Sequence, residues 1–417
     1  MDDVIQLIST EVIKPSPATT SPSSTQTLKR FKLGGASLHQ SLICASTLSY
    51  VPLTLFYPAK PRALFNVGLE RAQVLKQSLG QTLTKFYPLA GKIRLGLKDD
   101  ICVYVEFDDD SGACYKEARV RCHMSRFLKR PDYTLMDGFL PIGDNEDDEG
   151  FHVAKTQVNI FECGGIAVSV LISQFVNEVV SLSDFLKDWA GGTKGFCCRN
   201  GQALRVDLGF NELDLMQRRL FNKGKQAVSR RFIFDSEAIA SLKAITVSSR
   251  VPNPTTIEAV SSLIWKCTMD SLRTKSGLES KACALLLSTK ARRTVMALCG
   301  DESKTDLDDL VHRLRGAITE GGNSWLEYES EDMDNLICYG WCASGIYEVD
   351  FGWGRPAWVT STGSSLSNIS GHQFLNSVML VETRWGDGIE AWVTLDEKSM
   401  VDLVRNQELL TFSLASS

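Results

Sequence analysis

Ser173-Gln174-Phe175-Val176-Asn177-Glu178 places a hydroxyl, a primary amide and a carboxylate within six residues. A primary amide offers two donors and an acceptor but no basic site near neutral pH. Gln174 can therefore orient a carbonyl or a water, yet it cannot carry a proton away. Ser173 has no identifiable His/Asp partners, so a nucleophilic triad is not read there. Five histidines, His39, His123, His152, His312 and His372, are the other candidates for proton transfer. None is expected on the turn that holds Gln174, and His39 and His372 are the two worth testing. His123, between Cys122 and Met124, reads as a loop or strand residue. Glu178 could face the same site if the turn shifted.

The elements that must position this hexapeptide are legible. Ile166 to Ile172 is a short continuous apolar run, typical of a buried strand. Beyond it, Val179, Leu182, Leu186 and Trp189 form a helical stripe, and Gly191-Gly192 is expected to close that helix. The unit is strand, tight turn, helix. Upstream, Tyr50 to Tyr57 and Ile101 to Phe107 read as strands, and Pro15 to Thr27 as a loop or linker. A helix is expected from Glu70 to Phe86, with Val74, Leu75, Leu79 and Leu83 inward, stopped by Pro88. Downstream, Arg231 to Phe234 opens a second domain near Ser229. Its main helix begins with a capping box, Thr255 as N-cap and Glu258 three residues on, with Ile257, Val260, Ile264 and Cys267 inward. A helix from about Thr305 turns Leu307, Leu310, Val311 and Leu314 inward, and strands at Val378 to Val381 and Ile389 to Leu395 follow.

At 417 residues the chain suits two domains of roughly 200 residues each. The expected boundaries are 1–190, a crossover at 191–228, and 229–417. Strands and helices mix throughout, which gives an α/β architecture with two mixed-sheet domains. Net charge is −5 with no basic run, so nothing invites nucleic acid or an anionic membrane. The acidic run Asp144 to Glu149 reads as a solvated loop. Neither a secretory leader nor a membrane-length apolar stretch is read. Twelve cysteines without a leader read as reduced cytosolic thiols. Cys338 and Cys342, or Cys197-Cys198, have no companion pair at zinc spacing, so no metal is expected.

Four segments resemble one family, the plant BAHD acyltransferases. Phe86-Tyr87-Pro88-Leu89-Ala90-Gly91-Lys92 is similar to the family's YPLAGR segment, and Phe161-Glu162-Cys163-Gly164-Gly165 to the FECGG of its vinorine-synthase-like branch. Asp350-Phe351-Gly352-Trp353-Gly354-Arg355-Pro356 carries the full DFGWG signature with its basic residue and proline. Gly386 to Val393 matches GDGIEAWV. The resemblance implies two domains of chloramphenicol-acetyltransferase-like topology meeting at a channel, the DFGWG segment lying in the C-terminal one. Acyl-CoA would enter from one face as a co-substrate and a small-molecule plant metabolite from the other, with no permanently bound cofactor. A cytoplasmic monomer is implied. The DFGWG segment would be structural, its aspartate paired with an arginine.

In that family a histidine in an H-x-x-x-D pattern removes the acceptor's proton. By register, Gln174 stands at the histidine position and Glu178 at the aspartate position, which is structural. General-base assistance is worth about 10² to 10⁴ in rate, roughly 3 to 5 kcal/mol of barrier. Ordinary acyl transfer should fall by that much. A second departure follows Ser288-Thr289-Lys290-Ala291-Arg292-Arg293, where Lys290 and Arg292 are candidate neighbours of CoA phosphate or pantetheine. Beyond Arg293 the chain is about a dozen residues shorter than the family pattern, which would remove a strand. Three readings stay open: a CoA-dependent acyltransferase of unusual rate, a repurposed enzyme performing elimination, lysis or cyclisation, and a non-catalytic metabolite-binding relative.

Overall fold

The computed structural model describes residues 4–16, 30–32, 50–60, 63–96, 102–107, 111–142, 151–173, 182–193, 221–223, 227–276, 282–288, 294–300, 306–320, 334–342, 344–361, 372–374 and 376–416. The chain divides into two compact units, Met1–Asp214 with Ser344–Ser370, and Leu215–Ala343 with Gly371–Ser417.

Unit 1 is built on a six-stranded mixed sheet. Its order is β1 (Ile5–Ile13), β6 (Ala113–Val120), β8 (Ala154–Phe161), β9 (Ile166–Ser173), β3 (Tyr50–Tyr57) and β15 (Trp358–Thr360). Strands β3, β8 and β9 are buried at every position, as central strands covered on both faces must be. One face packs helix α1 (Phe65–Lys85), whose Leu75, Leu79 and Leu83 are buried. Val74, expected inward, is 40% exposed: α1 begins five residues earlier than expected and turns the 75, 79, 83 stripe, not residue 74, to the core. A smaller sheet orders β2 (Arg30–Lys32), β5 (Cys102–Glu106), β4 (Lys92–Gly96) and β7 (Phe151–His152).

The DFGWG segment, expected with the C-terminal domain, packs in unit 1. Its anchor is β15, antiparallel to β3 with Val359 opposite Leu55. The Tyr57 hydroxyl donates to the Val349 carbonyl at 3.0 Å and the Ser361 hydroxyl to Pro52 at 2.5 Å. A three-residue strand has no periodicity to reveal its partner in sequence, which is why chain order suggested the other domain.

Unit 2 carries a seven-stranded mixed sheet. The order is β13 (Thr294–Cys299), β12 (Cys283–Ser288), β14 (Asp334–Gly340), β17 (Ser377–Glu382), β18 (Ile389–Asp396), β11 (Ala227–Phe234) and β19 (Leu414–Ser416). Helices α4 (Ser236–Thr246), α5 (Thr256–Ser276), α6 (Leu307–Glu320), α7 (Glu397–Leu403) and α8 (Gln407–Phe412) complete it. Val260, Ile264 and Cys267 of α5 and Leu307, Leu310 and Leu314 of α6 enter one apolar core as expected, while Ile257 is partly buried against it. The stretch after Arg293 does not lack its strand: Thr294–Cys299 is itself β13, antiparallel to β12 across six residue pairs. Strands β10 (Phe221–Lys223) and β16 (His372–Phe374) pair separately. The linker residues 194–220 lie outside the described residues.

Candidate active site

The strand and the helix that frame Gln174 are both present. Strand β9 ends at Ser173 and helix α3 spans Leu182–Thr193. Gln174 and Glu178 fall between them, outside the described residues, as do Lys290 and Arg292 on the connection from β12 to β13. Helix α3 runs through Gly191 and Gly192 to Thr193, so these glycines do not terminate it. Its Leu182, Leu186 and Trp189 are fully buried.

At the end of β9, Ser173 lies opposite Tyr50 of β3, and its amide donates to the Val153 carbonyl at 2.9 Å. Tyr50 spends its hydroxyl on the His152 carbonyl at 2.7 Å, while the Lys155 ammonium sits 5.1 Å from its ring centre. The His152 ring closes the group, with Nδ1 2.8 Å from the Gly112 carbonyl. A carbonyl only accepts, so Nδ1 carries the proton of this bond. The backbone of His152 thus reaches the strand end that leads to Gln174, although sequence reading placed no histidine there. The fold does this by bending the chain at Val153, out of β7 and into β8.

Ser173 Oγ is fully buried and, among the described residues, has no hydrogen-bond partner. A buried hydroxyl in that state costs about 1 to 3 kcal/mol. Neither Tyr50 nor this property of Ser173 was visible in the sequence, because both depend on cross-strand register. The remaining histidines sit elsewhere. His123 precedes α2 (Met124–Lys129) at its N-cap position without a side-chain cap bond, His312 lies half-buried on α6, and His372 of β16 pairs with Lys223 of β10. His39 is outside the described residues.

The DFGWG segment braces α3. Phe351 packs edge-on against Trp189 at 5.2 Å and against Tyr57 at 5.6 Å, and Trp353 stacks on Phe351 at 5.9 Å. The Trp189 indole donates to the Leu75 carbonyl and the Ser78 hydroxyl, tying α3 to α1. Asp350 holds the loop shut: one carboxylate oxygen accepts from the amides of Gly352 at 2.8 Å and Gly354 at 2.9 Å. Both glycines have positive φ, 104° and 110°, which side-chain-bearing residues rarely adopt. Burial, and secondarily the charge of Asp350, pushes the Tyr57 phenol well above its ordinary pKa and keeps it a neutral donor. Among the cations, Arg71 lies over the Trp353 ring at 5.1 Å and Arg355 is exposed.

The profile of a transferase family matches residues 4–304 and 315–410. A limonoid 7-O-acetyltransferase of Citrus sinensis is 32% identical, covering 98% of both chains. BAHD acyltransferase BIA1 of Arabidopsis thaliana is 30% identical over 99% of this chain and 98% of its own. The chain belongs to the BAHD transferase family. Within this BAHD family, the crystal structure of vinorine synthase shares 27% identity and a TM-score of 0.73, covering 99% of both chains. TRI101 of F. sporotrichioides, at 14% identity and a TM-score of 0.68, covers 93% of this chain and 100% of its own and shows the same two-domain fold. Among the described residues of this BAHD member, no three His, Cys, Asp or Glu side chains cluster as a metal site. No helix among them is long and apolar enough to cross a membrane.

Proposed function

We propose that this chain is a CoA-dependent acyltransferase of plant specialised metabolism, acting on a hydroxyl or amine of a small metabolite without a histidine base. The observation that carries the reading is a family match along nearly the whole chain with the strand and the helix on either side of residues 174–181 both present, and the sequence register supports giving Gln174 the base position. The names of relatives support the acceptor class: limonoid 7-O-acetyltransferase, stemmadenine O-acetyltransferase and an N-malonyltransferase. TRI101 has been seen with coenzyme A, which supports the donor class.

In the proposed step, the acceptor oxygen or nitrogen attacks the thioester carbonyl, the C–S bond breaks, and CoA leaves as its thiol. The acceptor's proton passes through solvent to the CoA sulfur, because an amide cannot hold it. Gln174 orients the carbonyl by donating a hydrogen bond, and holding both reactants together supplies several kcal/mol without a base. Glu178 keeps the structural role of the family aspartate, and Lys290 and Arg292 neighbour the CoA phosphates. The protein acts as a cytosolic monomer, which sizing in solution and a fluorescent fusion would check.

The test is transfer from acetyl-CoA and malonyl-CoA to limonoid alcohols, stemmadenine and secondary amines, wild type against Gln174→His. Slow transfer in wild type and a gain of about 10² to 10⁴ in the variant is expected. Wild-type rates that the histidine does not improve would remove Gln174 from the argument. Product formation without CoA would replace transfer by lysis or cyclisation, and ligand binding with no turnover by a non-catalytic role.

A further inference from the structure

The opposite end of β9 from Ser173 holds a pair of cysteines that the acyl-transfer reading does not use. Cys163 sits in the tight turn between β8 and β9, where the Phe161 amide donates to Gly165 at 2.9 Å and Gly164 takes a φ of 73°. Cys122 lies just past β6, whose Val120 is paired in register with Phe161 of β8. Two bonds lock these corners together. The Glu162 amide donates to the Cys122 carbonyl at 3.3 Å, and the Met124 amide donates to Cys163 Sγ at 3.4 Å. Both side chains are thiols and both are half-buried, within reach of a small solute. A disulfide spans a Cα separation of roughly 4.4 to 6.8 Å, and these two hydrogen bonds hold the corners that carry the cysteines side by side.

From this geometry we infer that Cys122 and Cys163 form a thiol–disulfide modification site, oxidised by a small disulfide such as glutathione disulfide. Cys163 attacks first: it sits at the β8–β9 turn, where the Met124 N–H donates to its sulfur and holds it in place. Its thiolate attacks one sulfur of glutathione disulfide, the S–S bond breaks and one glutathione leaves. Cys122 then attacks Cys163 Sγ in the mixed disulfide and expels the second glutathione. The two cysteine protons end on the two glutathione thiols; the protein loses two electrons and glutathione disulfide gains them. Burial, then the neighbouring Cys163 and Glu162, raise the Cys122 pKa against the opposing pull of Arg126, which suits the slower resolving thiol.

Cys283 and Cys299 supply an internal contrast. They face each other directly across β12 and β13 but are 2% and 1% exposed. Spacing alone favours them equally; access does not.

Treat the full-length protein with glutathione disulfide, alkylate what remains, and map the peptides before and after dithiothreitol. A reversible Cys122–Cys163 cross-link is expected, with Cys283 and Cys299 still alkylated after unfolding. The oxidised protein should melt several degrees higher, since the bond closes a loop of about 40 residues. In Cys122→Ser the glutathione should stay on Cys163; in Cys163→Ser the cross-link should be absent. Separate glutathione adducts on both cysteines of wild type, or two unmodified thiols under conditions that modify others, would overturn the assignment. The wild-type map decides it even if a variant fails to fold.

Discussion

The two units use one architecture, helices on a mixed sheet, but satisfy their buried polar groups differently. In the main sheet of unit 1 the buried polar residues of β3, β8 and β9 are largely neutral. Thr54 and Ser169 share a hydrogen bond of 2.9 Å. Gln157 donates to the Gly138 carbonyl at 2.9 Å and to Asn159 at 2.8 Å, and Asn159 donates to the Phe139 carbonyl at 2.9 Å. Unit 2 uses charged forks instead. Arg315 grips Glu258 through both carboxylate oxygens, and Arg231 grips Glu390 at 2.5 and 2.8 Å. Neutral networks bring fold specificity without a titrating group. Charged forks are stronger per contact, yet they make stability follow pH.

Removing Glu258 is expected to have the largest effect. The residue is 2% exposed and its side chain also accepts from the Thr255 amide at 2.7 Å, so Glu258→Ala removes a fork and half of a capping box together. The Arg315 guanidinium, only partly exposed, would lose its counter-charge. A loss of about 3 kcal/mol is expected in the urea unfolding of unit 2. Unchanged unfolding would show that this fork is no stronger than a surface pair.

The pH arm sharpens the same contrast. Burial alone would raise the Glu258 pKa, but hydrogen bonds from Arg315 and Thr255, with the Arg315 charge, hold it below the usual 4.5. A depressed carboxylate contributes stability that is fully present above its unfolded pKa and is lost as pH falls through the folded one. The difference between wild type and Glu258→Gln should therefore be constant from pH 7 to about 5 and shrink below 4.5. Across the same range the effect of Asn159→Ala should stay flat. That substitution leaves the Phe139 carbonyl and one Gln157 N–H unpaired in a fully buried place, for a loss of about 2 kcal/mol. An Asn159→Ala effect that varied with pH would mean the neutral network borrows a charge from elsewhere.

What could be seen in sequence follows the range of each interaction. The capping box was legible because Thr255 and Glu258 are three residues apart; its second partner, Arg315, is 57 residues from Glu258 and carries no local mark. Strands β3 and β9 announced themselves by continuous apolar runs, whereas β15 did not, and so the DFGWG segment was assigned by chain order to the wrong neighbours. At the candidate site, the frame around Gln174 came from periodicity. Ser173, Tyr50 and the His152 backbone came together only through register and the bend at Val153. The cysteine of FECGG was quoted as a motif, but its pairing with Cys122 depends on parallel strands 41 positions apart in sequence.

Helix capping gives the smallest and most direct test of the difference between units. In unit 2, Asp235 accepts from Ala238 at 2.8 Å, Asp396 from Ser399 at 3.3 Å and Asn406 from Leu409 at 3.0 Å, so α4, α7 and α8 all begin on side-chain caps. In unit 1, Leu64 is the N-cap residue of α1 and His123 that of α2, and neither makes a side-chain cap. Leu64 already has extended backbone geometry, φ −113° and ψ 170°, and is 70% exposed, so replacing it gives up little packing. Leu64→Asp should let a carboxylate accept from the first-turn amides of a 21-residue helix and face its positive end. A gain of about 0.5 to 1 kcal/mol is expected, read as a rise in the melting temperature of unit 1, with Asp235→Ala losing a similar amount in unit 2. Should the loss appear without the gain, the start of α1 is held by its packing on the Gly164 turn, where the Leu64 carbonyl leaves no room for a side chain, and not by its missing cap.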